Sequence, residues 1–464
     1  MVDGKHLTMT ATETTKPWEE LARLAESGSP PELEAFLDEL PASDVALAMS
    51  RLSDDEQAQV VTVLTPDHAA DLVEQLTDVQ AVELIEHLEP QDAAAILDEL
   101  PSDEQADLIG DLDNDDAEAI LDAMAPDEAA DARQLSQYDN DVAGGLMVTE
   151  LLKYSESFTV GDVVEDMRER AEKYRDYDVQ YAYVCDDSHC LTGVLRLRDL
   201  LLAKRSQRIA ELMIHEPRSV QDHTTLDELF DFFESHHYLG VPVVDVAGCL
   251  LGVVQRAAVD EARSGQHDSD FLKTQGIVGG EEIRTLPLLL RSRRRLAWLS
   301  VNIVLNVMAA SVIAFFQDTL SAVIALAVFL PIISDMSGCS GNQAVAVSLR
   351  ELSLGLVRVD ELLRVWLKEI AVGMLNGVAL GLLIGLVAYL WKGNPYLGLV
   401  VGGALCLNTM IAVSIGGIVP LVLKRFKVDP AIASGPILTT VTDMCGFLLV
   451  FGIATAMLEQ LTNI

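Results

Sequence analysis

The residue whose setting most demands a chemical explanation is Asp443. Residues 430–442 and 444–458 carry no charge, so one carboxylate lies halfway along an apolar stretch. A helix needs about 20 residues to cross a bilayer. An acid near the midplane costs at least about 2.5 kcal/mol and marks an ion or proton path by default. A satisfied acid inside a buried soluble helix is the competing reading. No Lys or Arg lies at comparable depth in the other apolar runs, which leaves a protonated acid, a proton relay or a bound cation. Uncharged polar groups stand nearby: Thr439, Thr440 and Thr442 on the same run, and Asn342 and Gln343 in "SDMSGCSGNQA", residues 334–344. The glycines of that second stretch predict a loosened backbone, tolerated at membrane depth only where it is buried or lines a wet cavity. Carboxylate, amide and carbonyl oxygens are hard ligands that suit Mg²⁺ or Ca²⁺, not the softer metals that want Cys or His. Mg²⁺ gives up its waters reluctantly, so a few carboxylates suffice, and a symmetric dimer brings two to one axis.

These groups need membrane helices to hold them. Residues 296–316, 319–334, 370–391, 393–423 and 430–458 are uncharged, predicting five spans within residues 291–464. Arg291, Arg293, Arg294, Arg295, Arg350, Arg358, Arg364, Lys368, Lys424, Arg425 and Lys427 flank one side, and Lys392 alone flanks the other. That bias predicts a multi-pass cell-membrane protein with a cytosolic N-terminus and an outward C-terminus. Gly373, Gly377, Gly381 and Gly385 repeat small-xxx-small, which suits close helix packing within the chain or a subunit interface.

The rest of the chain is soluble in character and acidic. Residues 19–142 hold 35 Asp and Glu against three basic residues, and the whole chain carries −40. This excludes nucleic acid as a partner and fits cations, while a salt-adapted surface is the rival account. The six cysteines lack a paired metal spacing and read as reduced thiols. The N-terminus shows no charged-then-apolar signal segment. Residues 1–18 are expected to be disordered. From about Thr65 a loose 12-residue repeat ("PDHAADLVEQLT", "DVQAVELIEHLE" and three more) places Pro, Asp or Glu before helical apolar spacing, predicting short stacked antiparallel helices over 19–141. Residues 142–262 contain a second repeat. "GLMVTELLKYSESFTVGDVVEDM" matches "ELMIHEPRSVQDHTTLDELFDFF", and each copy ends in two strands, so an α+β module occurs twice. This pair resembles tandem CBS domains. A polar connector fills 263–290.

With these parts together, the chain resembles the MgtE family of magnesium channels over nearly its full length, most specifically in "SGCSGNQAVAVSLREL" and "DPAIASGPILTTVTDMCG". The resemblance implies a homodimer in the bilayer with the pore on its two-fold axis. Asp443 then holds hydrated Mg²⁺ in the pore and Asn342 lines it. It also implies closure by cytosolic Mg²⁺ bound among the helical domain, the CBS pair and a connecting "plug" helix at 263–290. Asp92, Asp227, Asp260, Glu261, Asp268, Asp270 and Asp429 are the candidate bridging acids, although Asp429 before Pro430 also suits a helix start. The chain departs from the family where Cys339 stands for the usual Asn, which puts ion ranking in question, and where Gln91 and Ala95 stand at positions 91 and 95. CBS domains that hold adenosine often end their last strand with Ser/Thr and Asp. The first repeat keeps Asp199 but has Arg196 for the hydroxyl, and the second has Gln255, Ala257 and Ala258. Asp199 is therefore the one residue in place for ATP, and the pattern weighs against nucleotide.

The sequence-based expectation is a gated Mg²⁺ channel and not an enzyme, since no phosphate loop, nucleophile elbow or spaced histidines occur. The alternatives are a carrier coupled to H⁺ or Na⁺, and a receptor-like sensor with CBS input.

Overall fold

Helix starts recur every twelve residues through the first part of the chain. In the computed structural model, described for residues 16–462 except 172, 176, 178–180, 278–285, 355, 358–360 and 427, and without the side chains of 127, 268 and 432–434, ten short helices come first. They are α1 (Pro17–Ser27), α2 (Pro30–Asp38), α3 (Ala42–Met49), α4 (Asp54–Val63), α5 (Pro66–Glu74), α6 (Asp78–Glu86), α7 (Pro90–Leu97), α8 (Ser102–Asp111), α9 (Asn114–Ala123) and α10 (Pro126–Leu135). Proline at the first turn of α2, α5, α7 and α10 has no N–H to lose there and presets φ. Helices two apart stack: α5 on α7, α7 on α9, α6 on α8 and α8 on α10. That stacking buries one continuous Leu/Ile/Val/Ala core from Leu21 to Ala132, which no single helix of this length could form alone. The 12-residue period extends back to Pro30, earlier than the repeat read from Thr65. The expected disorder of residues 1–18 falls outside the described residues up to 15, and α1 already begins at Pro17.

The chain divides into two compact units, Met1–Gly265 and Gln266–Ile464. The first continues with β1 (Met147–Val148), β2 (Leu152–Ser155), α11 (Val160–Glu169), β3 (Tyr181–Cys185), β4 (Leu191–Arg196), α12 (Leu197–Leu202), β5 (Ile214–His215), β6 (Val220–Gln221), α13 (Leu226–Ser235), β7 (Gly240–Val244) and β8 (Leu250–Gln255). Two four-stranded sheets result, ordered β1-β8-β7-β6 and β2-β3-β4-β5. In each, a parallel pair (β2 with β3, β6 with β7) adjoins an antiparallel hairpin (β3 with β4, β7 with β8). β1 pairs with the far strand β8, so the first repeat's leading strand completes the second repeat's sheet. Thr159 and Thr225 build capping boxes at the starts of α11 and α13, which fixes the same strand-to-helix turn twice. A small cluster of Tyr183, Cys185, Val194, Leu250 and Val253 joins the repeats.

α14 (Arg256–Thr274) follows β8 directly, so the connecting helix starts inside the segment assigned to the CBS pair and ends well before residue 290. The second unit then holds α15 (Leu288–Phe315), α16 (Gln317–Ala322), a 3₁₀ turn at Ile324–Val328, α17 (Leu330–Ser353), α18 (Leu362–Lys392), α19 (Pro395–Arg425), α20 (Pro430–Ala456) and α21 (Leu458–Thr462). Five segments among the described residues are long and apolar enough to span a membrane. Two expectations change. The uncharged run 319–334 is not one helix: it breaks at Val323 and again at Phe329, and the spanning helix is α17. The glycine-rich 334–348 stretch is regular α-helix, because Gly341 lets α17 close onto α19, where a Cβ would meet the Ala412 carbonyl at 3.1 Å. Gly373, Gly377, Gly381 and Gly385 of α18 face α19. A Cβ on Gly381 would lie 2.6 Å from the Gly402 oxygen, and one on Gly377 2.6 Å from that of Cys406. The small-residue stripe packs helices within the chain.

Candidate functional site

Asp443 lies near the middle of α20 and is 8 % exposed. Its Oδ1 accepts a hydrogen bond from the Ser334 hydroxyl of α17. One turn further along α17, Ser337 donates to the Ile333 carbonyl and accepts from Nδ2 of the fully buried Asn408 of α19 at 2.6 Å. Three helices are thus tied by side chains at the level of the carboxylate. Ser348 repeats the tie lower on α17, donating to the Gly417 carbonyl at 2.9 Å. A group this costly to bury is held in place by one neutral hydroxyl and has no ion-pair partner in the hydrogen-bond and salt-bridge contacts of the described residues.

Asn342 is exposed and lies eight residues after Ser334 on α17. It lines a cleft of about 380 Å³ with Val345, Ala346, Gly435, Pro436 and Thr439. Thr439 is one turn before Asp443. Trp298 and Asn302 of α15 and Thr274 at the end of α14 complete the wall of the cleft, so Asn342 borders it while Asp443 lies one turn beyond its Thr439 edge.

Asp335, the first residue after the uncharged run 319–334, lies inside α17 and is exposed. Ser334 touches Asp443, and the next residue is only about 1.5 Å further along a helix axis. Asp335, Cys339, Asn342 and Ala346 form an exposed stripe at helical spacing. Two carboxylates thus share one depth, and periodicity from Asn342 back to Asp335 was the signal available for the second.

Outside the spans, the candidate sensing acids scatter. Asp227 pairs with Arg263 at 2.9 Å, and Asp260 lies 3.8 Å from Arg256, which also reaches Glu234. Asp270 and Asp429 share Lys273, at 3.6 and 3.3 Å. Burial raises the Asp270 carboxyl above its usual range, Lys273 opposes that and Asp429 adds to it. Asp429 also caps α20 through the Ala431 N–H at 2.8 Å. Asp92 is exposed in the first turn of α7, and the Asp268 side chain lies outside the described residues. Asp199 is held by Arg196 at 2.7 Å, the very residue that replaces the nucleotide-binding hydroxyl.

Only Glu261 joins an acidic focus that the sequence reading missed, on α8 where it meets β1. Burial first, then like charge, raises Asp103 to about 6 (with Glu150 and Glu261), Glu104 to about 7 (with Glu74, Asp103, Glu261 and Asp107) and Asp107 to about 7 (with Asp103, Asp111 and Asp78). Glu104 keeps an exposed flank, yet burial remains the first cause of its shift and four neighbouring acids add to it. Ser102 anchors this end of α8 by donating to Glu150 and accepting the Thr149 N–H, both at 2.8 Å. Among the described residues no group of three His, Cys, Asp or Glu converges as a metal cage.

Comparison with known proteins decides the family. The chain is 33 % identical to the magnesium transporter MgtE of Bacillus subtilis over 70 % of its length and 72 % of that protein's. The chain belongs to the MgtE family. It is also 32 % identical to the magnesium transporter MgtE of Thermus thermophilus, covering 71 % of this chain and 73 % of the relative. Family profiles match in three parts: "MgtE intracellular N domain" at residues 19–141, "CBS domain" at 142–206 and 209–264, and "Divalent cation transporter" at 330–453. A crystal structure of the cytosolic domain of the Mg²⁺ channel MgtE in complex with ATP aligns at 29 % identity and TM-score 0.48, covering 53 % of this chain and 99 % of that one. As an MgtE-family member, the chain is a multi-pass membrane protein of divalent cation transport.

Proposed function

We propose that this MgtE-family member is a homodimeric channel that passes hydrated Mg²⁺ down its gradient, with Asp443 holding the ion and Asn342 lining its path. The observation that carries this reading is the Ser334–Asp443 contact: a carboxylate in mid-helix, oriented by a neutral hydroxyl and without a basic partner among the described residues, leaves its oxygens available to a cation. A second copy set against the exposed Asp335–Cys339–Asn342 stripe would close the α17–α20 groove into a pore and bring two Asp443 side chains to one axis. The waters that Mg²⁺ keeps around itself can be held by oxygens beyond them, which suits two carboxylates and two amides. The relatives named as magnesium transporters support the choice of ion. Lys and Arg flanks support placement of the first unit in the cytosol. There, acids crowded on α8 and near α14 would repel one another until a divalent cation bridges them, and such a cation stabilises whichever state brings the acids together. The residue that decides the pore assignment is Asp443. In proteoliposomes loaded with a Mg²⁺-sensitive dye, Asp443→Asn protein that folds and inserts normally is expected to lose Mg²⁺ influx. Influx equal to the native rate would refute the pore assignment.

A further inference from the structure

The two CBS repeats meet at their hairpin turns, and those turns are built alike. In the first, the Asp186 carboxylate accepts the N–H groups of Ser188 and Cys190 at 2.8 and 2.9 Å. In the second, the Asp245 carboxylate accepts those of Ala247 and Cys249, both at 2.8 Å. Each turn is closed by the same backbone bond, Asp186 N–H to the Cys190 carbonyl and Asp245 N–H to the Cys249 carbonyl, both 3.0 Å. Each passes through one left-handed residue, His189 at φ 64° and Gly248 at φ 86°. The residue delivered to the end of each turn is a cysteine.

Cys190 and Cys249 face each other as an antiparallel β-bridge. The flanking bonds run from Leu191 N–H to the Gly248 carbonyl (3.1 Å) and from Leu250 N–H to the His189 carbonyl (3.2 Å). The cysteines are therefore a non-hydrogen-bonded pair, the closer type, with Cα atoms typically about 4.5 Å apart. Disulfides form at Cα separations of about 4.4–6.8 Å. Both thiols are free and partly exposed, and each donates weakly across to the opposite turn, Cys190 to the Ala247 carbonyl and Cys249 to that of Ser188, at 3.8 Å. The sulfurs also sense each other: after burial and Asp245, Cys190 is a cause of the raised Cys249 thiol.

We propose that Cys190 and Cys249 form a reversible disulfide that staples the two CBS repeats turn to turn. The oxidant is a low-molecular-weight disulfide. One cysteine thiolate attacks it, forming a mixed disulfide and releasing one small thiolate. The second cysteine attacks the protein-side sulfur, closes the bond between the cysteines and releases the second small thiolate, which takes up the remaining proton. Two protein thiols are oxidised and one small disulfide is reduced to two thiols. The bond closes a long loop across both repeats, so it restricts the unfolded chain and ties the junction between the repeats. In a thiol-reducing compartment such a bond is transient and serves as a sensor.

The test uses full-length protein equilibrated in oxidised or reduced glutathione, quenched with acid, alkylated and digested for mass spectrometry. The expected result in oxidised buffer is one intrachain species linking the Cys190 and Cys249 peptides, two hydrogens lighter than their sum and lost on adding dithiothreitol. Cys190→Ser should convert Cys249 to a mixed disulfide with glutathione. The inference is overturned if both cysteines remain alkylatable in native oxidised protein, if they carry only glutathione, or if the link joins two chains on a non-reducing gel.

Discussion

The ammonium of Lys273 lies 3.3 Å from Oδ2 of Asp429 and 3.6 Å from Oδ1 of Asp270. One lysine is thus shared by two of the acids that the sequence suggested for divalent cations, one on α14 and one capping α20. It stands where a bridging ion would stand. The side chains are about one-third to one-half exposed, so each contact contributes at most about 1 kcal/mol.

Lys273→Gln should therefore leave Asp270 and Asp429 facing each other without a counter-charge, and a divalent cation should take the place of the ammonium. The expected outcome is that external addition of Mg²⁺ on the α14 side inhibits flux at a concentration lower by up to about fivefold, the factor that 1 kcal/mol represents. The measurement is a Mg²⁺ titration of flux in proteoliposomes, run beside Asp270→Asn, which should shift the other way. An unchanged titration in both variants would show that this cluster takes no part in sensing.

The acids on α8 set a pH dependence with a defined sign. Asp103 is held at about 6, Glu104 and Asp107 at about 7, all above their values in an unfolded chain. The folded protein binds more protons than the unfolded one between the ordinary carboxylate range and about pH 7, so stability falls as pH rises through that window. Hydrogen exchange at residues 102–111, corrected for the intrinsic pH effect, should show greater protection at pH 5.5 than at pH 8 without Mg²⁺. Millimolar Mg²⁺ at pH 8 should restore protection where NaCl of equal ionic strength does not. Asp103→Asn with Asp107→Asn should flatten the pH slope.

The sequence carried the helical repeat well because each unit opens on its own local signal, as at Pro66, Asp78 and Pro90. The repeat read from Thr65 leaves out the starts at Pro30, Ala42 and Asp54, of which only Ala42 lacks such a residue at its first position. Asp443 was legible for a similar reason: its chemistry is conspicuous against its neighbours along the chain. The α8 focus was not legible. Glu74 and Asp78 reach it from α5 and α6 through superhelical stacking, and Glu261 from α14 beyond the CBS strands, and in a chain so rich in acids no local feature marks those few. Asp335 was not legible either, because the uncharged run 319–334 stops just before it whereas α17 continues through it to Ser353.

Glycine packing between α18 and α19 gives a stability prediction with an internal control. A Cβ on Gly381 would lie 2.6 Å from the Gly402 carbonyl oxygen, whereas one on Gly403 meets nothing within 4 Å. Gly381→Val should force the helices apart, costing on the order of 1–3 kcal/mol, and Gly403→Ala should be close to neutral. Thermal aggregation temperature in detergent is the readout. Equal temperatures for the two variants would mean that the close approach of these helices contributes little to stability.

Asp335 supplies the sharpest test of the groove. It follows Ser334, whose hydroxyl holds Asp443, so the two acids lie at nearly one depth, yet Asp335 is exposed and Asp443 is not. An exposed carboxylate facing hydrocarbon would be expensive, and the proposed pore therefore has the stripe it shares with Cys339 and Asn342 facing water. Cys339 on that stripe is an exposed native thiol and can be labelled directly. A cationic, water-soluble thiosulfonate should modify Cys339 and block flux, and Cys339→Ser should be immune. Asp335→Asn should slow labelling by a cationic reagent relative to an anionic one, because removing a nearby negative charge lowers the local cation concentration. It should also reduce Mg²⁺ flux while leaving Asp443 able to bind. If Cys339 reacts only with membrane-soluble reagents, the stripe faces lipid, and Asp335 has no place in the ion path.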